Sequence, residues 1–234
     1  RRNWYVIEIS ADPENPNRTP RVSIEWARQQ IEKYGRDNPW VLINVFGEFP
    51  PTSLSTLLGY EEVRAAMGRK INKEDYAFSQ KRLGIDVARF GDDSTIIFPR
   101  QGLMAFKYVQ MRNARTQDVA ERVLLSKAKW QSEVEYVDGT GGFGGGVIDY
   151  MMQRGHTPQE IHFSGKPSDP RYYNKRAEMW FRMAEWIKRG GAIPYDEDLL
   201  KELVAPEYYF KNSKIILQSK EEIKDSLGFS PDRA

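Results

Sequence analysis

The chain has 234 residues, in which 35 Lys and Arg balance 33 Asp and Glu and 40% are hydrophobic. That is the composition of an ordinary folded protein, with room for one large domain or a domain plus an appendage. A formal charge of +2 requires any polyanion-binding surface to be local. The absence of cysteine excludes disulfides, thiolate zinc sites and iron–sulfur clusters, and His156 and His162 are too few for a His-rich zinc centre. With no apolar run of about 18 residues and no charged-then-apolar leader, neither a membrane span nor a signal peptide is expected. The chain opens Arg1-Arg2-Asn3-Trp4 without an initiator Met, which reads as a piece of a longer polypeptide.

Taken in order, Trp4–Ile9 alternates like a strand and is followed by a Pro/Asn-rich loop through Pro20. Ser23 caps a helix running to Tyr34, with Gly35 as its stop. Trp40–Phe46 reads as a strand ending at Gly47, and Tyr60–Met67 as a short helix. The polar stretch Gly68–Gln80 reads as a domain boundary, giving a coupling segment over 1–70 and a main domain over 71–234. Within the main domain, Leu83–Ala88, Thr95–Pro99 and Leu103–Met111 read as three meandering strands. A helix over Thr116–Trp130 follows, with Val119, Val123, Leu124 and Ala128 on one face. Next come a strand at Val134–Val137, a helix at Val147–Gln153, a strand at Ile161–Phe163 and an amphipathic helix at Asn174–Lys188. A hairpin joins Tyr208–Phe210 to Lys214–Leu217 through Asn212-Ser213, and Lys220–Leu227 is a last helix. The order predicts an α/β fold: a ribonuclease H-like mixed sheet, three antiparallel strands plus parallel ones, flanked by helices and carrying an extra C-terminal hairpin.

The chemistry is concentrated at two strand ends. Asp86 closes the first strand and is followed by Gly91-Asp92-Asp93; Asp138 closes the fourth and is followed by Gly139, Gly141 and Gly142. In the predicted sheet those strands are neighbours, so two carboxylates lie side by side and repel unless a cation sits between them. With Asp232 as a third and Asp93 as a possible fourth ligand, the set suits two Mg²⁺ or Mn²⁺ ions. Such ions take oxygen ligands and can cut a phosphodiester by activating water and stabilising the leaving oxygen. The catalytic candidates are thus Asp86, Asp138 and Asp232. Arg89, Lys166, Arg171, Lys175 and Arg176 are candidate phosphate contacts. Each feature has a plainer reading: strand-end and turn caps for the aspartates, a solvated face for the basic run, and core for Trp180, Phe181, Met183 and Trp186.

Four motifs in series, Asp86-Val-Ala-Arg-Phe-Gly-Asp-Asp-Ser-Thr, Asp138-Gly-Thr-Gly-Gly, Asn174-Lys-Arg-Ala-Glu-Met-Trp180 and Ser230-Pro-Asp-Arg-Ala234, resemble the nuclease domain of the large terminase subunit of tailed bacteriophages. Pro20–Trp26 and Val45–Pro50 resemble the segment joining that family's ATPase and nuclease. The resemblance implies a metal-dependent endonuclease that cuts concatemeric viral double-stranded DNA during genome packaging in the cytoplasm of the infected bacterium. Asp86 would bridge two metals, Asp138 and Asp232 would each complete one, and Asn174 and Arg176 would lie near the groove. It implies as partners an ATPase domain of the same polypeptide, a portal protein and a small terminase subunit, and no membrane. No G-x-x-x-x-G-K-[ST] is present, so no nucleotide site and no ATP hydrolysis are expected of these residues. Competing readings are an actin-like ATP-binding kinase, a non-catalytic DNA-binding or docking module, and a ribonuclease H-like recombinase or resolvase.

Overall fold

The computed structural model describes residues 9–36, 41–48, 55–88, 93–140, 142–229 and 231–233. The chain divides into two units, Arg1–Thr56 and Leu57–Ala234. The polar stretch Gly68–Gln80 therefore lies inside the second unit.

In the first unit, helix α1 (Ile24–Tyr34) starts where the Ser23 hydroxyl accepts the Trp26 N–H, and it stops at Gly35 with φ of 89°. The strand predicted over Trp40–Phe46 is not one: Leu42–Phe46 is a π-helical turn. Val41, Val45 and Phe46 are buried together with Ala11 and Ala27, so the apolar run packs at helical spacing rather than alternating. Gly47 ends the turn at φ of 71°, and a Cβ there would stand 2.3 Å from the Ile9 carbonyl oxygen, so only glycine fits. Trp4–Glu8, Trp40 and Pro50-Pro51 lie outside the described residues.

The second unit opens with helix α2 (Tyr60–Gly68). The sheet then follows: β1 (Lys81–Asp86), β2 (Thr95–Gln101), β3 (Met104–Ala105) and β4 (Val109–Met111), helix α3 (Thr116–Trp130), β5 (Val134–Asp138), helix α4 (Phe143–Gln153) and β6 (Gln159–Ile161). Strand order is β3-β2-β1-β5-β6, with β4 also on β2. The β1–β2 pair is antiparallel, whereas β1–β5 and β5–β6 are parallel. This is the mixed, ribonuclease H-like sheet that the sequence predicts.

The strand predicted over Leu103–Met111 is broken into β3 and β4. Arg100 lies opposite Ala105 and Ile97 opposite Val109, which leaves two residues of β2 facing three of the partner: a bulge. Pro99 stands there and has no N–H to continue the ladder. Helix α4 begins at Phe143, four residues earlier than expected, inside the glycine cluster.

Period-two alternation sets the faces. Leu83 and Ile85 of β1 and Val137 of β5 join Ile97, Val119, Ala120, Val123, Val147, Ile148 and Met151 in one buried cluster under α3 and α4. Each large aliphatic member contributes roughly 1.5–3 kcal/mol by leaving water. By the same alternation Asp86 and Asp138 face away from α3 and α4.

The remaining elements are helix α5 (Lys175–Lys188), helix α6 (Glu197–Val204), the hairpin β7 (Tyr208–Lys211) and β8 (Lys214–Leu217), and helix α7 (Lys220–Leu227). The hairpin turns through Asn212 and Ser213, both with positive φ near 51° and 59°, as a two-residue turn between twisted strands requires. Helix α6 was not anticipated from the sequence; Asp196 caps it by accepting the Asp198 and Leu199 N–H groups, and Leu199, Leu200 and Leu203 are buried. Trp180 is buried, Phe181 packs edge-on against Tyr208, and the Trp186 indole donates to the Gly102 carbonyl, so these aromatics are core.

Candidate metal centre

The site is assembled from three strand or tail positions. Parallel pairing sets Ile85 opposite Val137. The next residue on each strand is therefore an aspartate, and Asp86 and Asp138 stand beside each other at the carboxyl ends of adjacent strands. Strand spacing holds such backbones about 4.8 Å apart. Beyond β1, the Thr95 hydroxyl accepts from the Ala88 N–H at 2.9 Å and donates to the Ala88 carbonyl at 2.8 Å, closing the hairpin start.

Asp138 Oδ1 accepts the Thr140 N–H at 2.9 Å, which folds the turn back under the carboxylate. Gly144 begins α4 against that turn: a Cβ there would lie 1.7 Å from the Asp138 carbonyl oxygen. The helix thus starts directly behind the strand end because the chain carries no side chain at this position.

Asp232 arrives from the far end of the sequence and is buried. Its Oδ2 accepts the Ser94 N–H at 2.9 Å, fixing it beside the start of β2. Between Asp232 and Asp86 stands an ammonium that sequence reasoning did not assign to the site. Lys220 Nζ donates to Asp86 Oδ2 at 2.9 Å and lies 3.9 Å from Asp232 Oδ1. Burial works against the Lys220 charge, but Asp86, Asp232 and Asp93 more than offset it and raise its pKa. Lys220 is the first residue of α7, whose Ser219–Glu222 capping box is legible locally; its reach to Asp86 is not.

Among the described residues, no three acidic or imidazole side chains converge into a preformed cation cage. What the geometry does present is a hard-oxygen donor set with a positive charge already seated across two of its members. Lys220 stands between Asp86 and Asp232, and the oxygen donors of the three aspartates are of the kind that a hard divalent cation takes. Asp86 retains 27% side-chain exposure, against 10% for Asp232. Asp93 is exposed and lines a cleft of about 400 Å³ with Ser94, Arg112, Lys201, Lys224 and Asp232; neither Asp86 nor Asp138 lines it. Asp92 and Arg89 lie outside the described residues.

The basic candidates are placed differently from one another. Lys166 is exposed. Arg171 pairs with Asp169 at 2.6 Å, and Lys175 with the buried Glu178 at 2.7 Å. Arg176 turns inward: its Nη1 donates to the Gln218 carbonyl at 2.5 Å, Nη2 is buried, and burial lowers its pKa against the opposing fields of Glu221, Glu222 and Asp86. Asn174 caps α5 by accepting the Ala177 N–H at 2.9 Å. His162 is exposed and lies 3.3 Å from Glu160.

A second polar cluster backs the site. Glu202, on the unanticipated helix α6, is 2% exposed and receives both the Arg233 N–H, at 2.5 Å, and the Arg233 guanidinium. The same guanidinium lies 3.3 Å from Asp198. Burial raises the Glu202 pKa, while Glu202 in turn holds that of Arg233 above its ordinary value against the cost of burial.

A mixed sheet of this order, with carboxylates at the ends of two adjacent parallel strands, has the ribonuclease H-like architecture. No family model matches the chain. It is 30% identical over 202 residues to the probable terminase large subunit of Enterobacteria phage P7, a match covering 75% of this chain and 38% of that protein. The fold resembles the nuclease domain of the large terminase subunit gp2 of bacterial virus Sf6, with a TM-score of 0.62 at 18% identity over 75% of this chain and 93% of that one. It also resembles the large terminase nuclease of thermophilic phage G20c with bound magnesium, with a TM-score of 0.52 at 16% identity over 77% and 98%. The chain is thus a homologue of the phage terminase large subunit, spans well under half of that curated relative, and carries the fold of the terminase nuclease domain. No helix among the described residues is long and apolar enough to cross a membrane.

Proposed function

We propose that this chain is the metal-dependent endonuclease portion of a viral DNA-packaging protein, cutting concatemeric double-stranded DNA in the cytoplasm of the infected bacterium. The observation that carries the reading is the register that sets Asp86 beside Asp138, with Asp232 joined to Asp86 through Lys220. Asp86, Asp138 and Asp232 would hold two divalent ions, Mg²⁺ or Mn²⁺, with Asp93 as a possible further ligand. When bound, the ions supply an activated water and stabilisation of the leaving oxygen. The Thr140 N–H orients the Asp138 carboxylate and the Ser94 N–H that of Asp232, so neither ligand has to be ordered by the ion. Exposed Lys166 is a candidate for holding DNA phosphates, as is Arg89, which lies outside the described residues.

Residues 1–70 are read as the coupling segment that follows an ATPase domain of the same polypeptide, and the portal protein and small terminase subunit as its partners in packaging. No G-x-x-x-x-G-K-[ST] lies within these residues, and on this reading ATP hydrolysis belongs to that other domain. Homology to a terminase supports this reading over the kinase and resolvase alternatives. The test is cleavage of supercoiled plasmid with Mg²⁺, Mn²⁺ or EDTA, beside Asp86→Ala. Metal-dependent nicking and linearisation absent from the variant is the expected result; a folded protein that cuts in neither metal overturns it.

A further inference from the structure

Asp232 differs from the other two aspartates in one respect. Asp86 and Asp138 are fixed by the strand ladders that carry them, whereas Asp232 lies in irregular chain with no ladder to set its backbone. Something else has to hold it. One fixing point is the Ser94 N–H on its own carboxylate. Lys220 Nζ lies 3.9 Å from its Oδ1. A further restraint acts on the next residue: Glu202 receives both the backbone N–H and the guanidinium of Arg233.

A carboxylate that grips both the main chain and the side chain of one residue fixes that residue's position and the peptide before it. Here that peptide is the one leaving Asp232. Glu202 is well placed to impose this, being one turn on from the buried Leu199, next to the buried Leu203 on α6, and itself shut away from water. An unpaired carboxylate would be costly at that depth, so Glu202 and Arg233 need each other. Asp198, one turn earlier on the same helix face, holds the other side of the guanidinium.

From this geometry we infer that Glu202 is a positioning residue for the metal centre: through Arg233 it holds Asp232 where a divalent cation can use it. The inference rests on the metal-nuclease reading above and adds to it a residue beyond the candidate ligands themselves. A purely structural Glu202 would contribute stability to the tail and leave cation affinity alone, and the two roles are separable by experiment.

The experiment is calorimetric titration of Mn²⁺ into the whole chain and into Glu202→Gln, Arg233→Ala, the double variant and Asp86→Ala, with circular dichroism and thermal unfolding of each. The expected result is that Glu202→Gln and Arg233→Ala each weaken Mn²⁺ binding by about tenfold or remove one ion, with the folded spectrum retained. The double variant should lose no more than either single, because both break one linkage. Should Glu202→Gln fail to fold, Arg233→Ala carries the same test, since Glu202 can then take up a proton. Unchanged Mn²⁺ affinity in folded Glu202→Gln or Arg233→Ala, with Asp86→Ala impaired, overturns the positioning role and leaves the metal site standing. Unchanged affinity in Asp86→Ala overturns the metal reading and this inference together.

Discussion

Lys220 Nζ sits 2.9 Å from Asp86 Oδ2, so an internal cation occupies ground that a divalent ion would share. On the metal-site reading the two positive charges would compete for one carboxylate. Lys220→Ala should therefore raise Mn²⁺ affinity, on the order of tenfold for the loss of a like charge at such range. Titration calorimetry reads this directly, and an affinity that stays level or falls would show that the ammonium and the ion do not compete.

Asp86→Asn keeps the side chain's shape and its bond to Lys220 while removing the charge. Plasmid cleavage should drop by at least about a hundredfold if Asp86 is a metal ligand. Asp93→Asn, altering an exposed carboxylate at the rim, should cost less than about tenfold. Equal losses in gel assays of the two variants would mean that Asp93, not position at a strand end, defines the centre.

Arg176 bonds the carbonyl of Gln218, the residue before the cap of α7, and its guanidinium is partly sequestered. Its role follows from that placement. Arg176→Ala should lower unfolding free energy by about 1.5–3 kcal/mol, the usual worth of a hydrogen bond made by a charged donor. Arg176→Lys should recover little, because an ammonium lacks the planar fork. Urea denaturation of the three proteins decides the matter; stability equal to the parent's would return Arg176 to the candidate DNA contacts.

Glu178 gives a pH dependence with a definite sign. Burial opposes its ionisation, yet Lys175 and Arg182, each at 2.7 Å, and the Ser168 N–H at 2.9 Å outweigh burial and hold its pKa below the usual 4.5. A folded pKa below the unfolded one contributes stability that is complete above about pH 4.5 and is lost as pH falls through the folded value. Glu178→Gln should be less stable than the parent at neutral pH, with the gap closing as the pH falls through and below about 4.5. Thermal unfolding across that range would show parallel curves if Glu178 were not the group responsible.

Much of the fold was legible because its signals are local. Thr116–Trp130 declared itself by apolar spacing, α1 by Ser23 and Gly35, and the late hairpin by Asn212-Ser213 between two short apolar runs. The errors came where tertiary packing overrode a local pattern. Val41–Phe46 is apolar enough for a strand, but its partners in the core lie at helical spacing. Leu103–Met111 would run unbroken were it not opposite Pro99. In the candidate site, Asp86 and Asp138 could be read from the sequence because each ends a recognisable strand before glycines. Lys220, Glu202 and Arg233 could not, since their contacts span 134 residues in one case and 31 in the other, and neither lysine nor glutamate on a helix advertises what it will meet.

The bulge opposite Pro99 has a consequence for how the protein behaves in a crowd. A sheet edge with a row of free N–H and C=O groups is a template for pairing with other chains. Here one edge is divided into β3 and β4, and the Ala105 N–H and Leu103 carbonyl are already taken by Ala192. The opposite edge, β6, is three residues long and carries Gln159 and Glu160 outward. Among the described residues neither margin offers a flat run for another strand to extend, so the carboxyl ends of the sheet can stand open without inviting edge-to-edge aggregation.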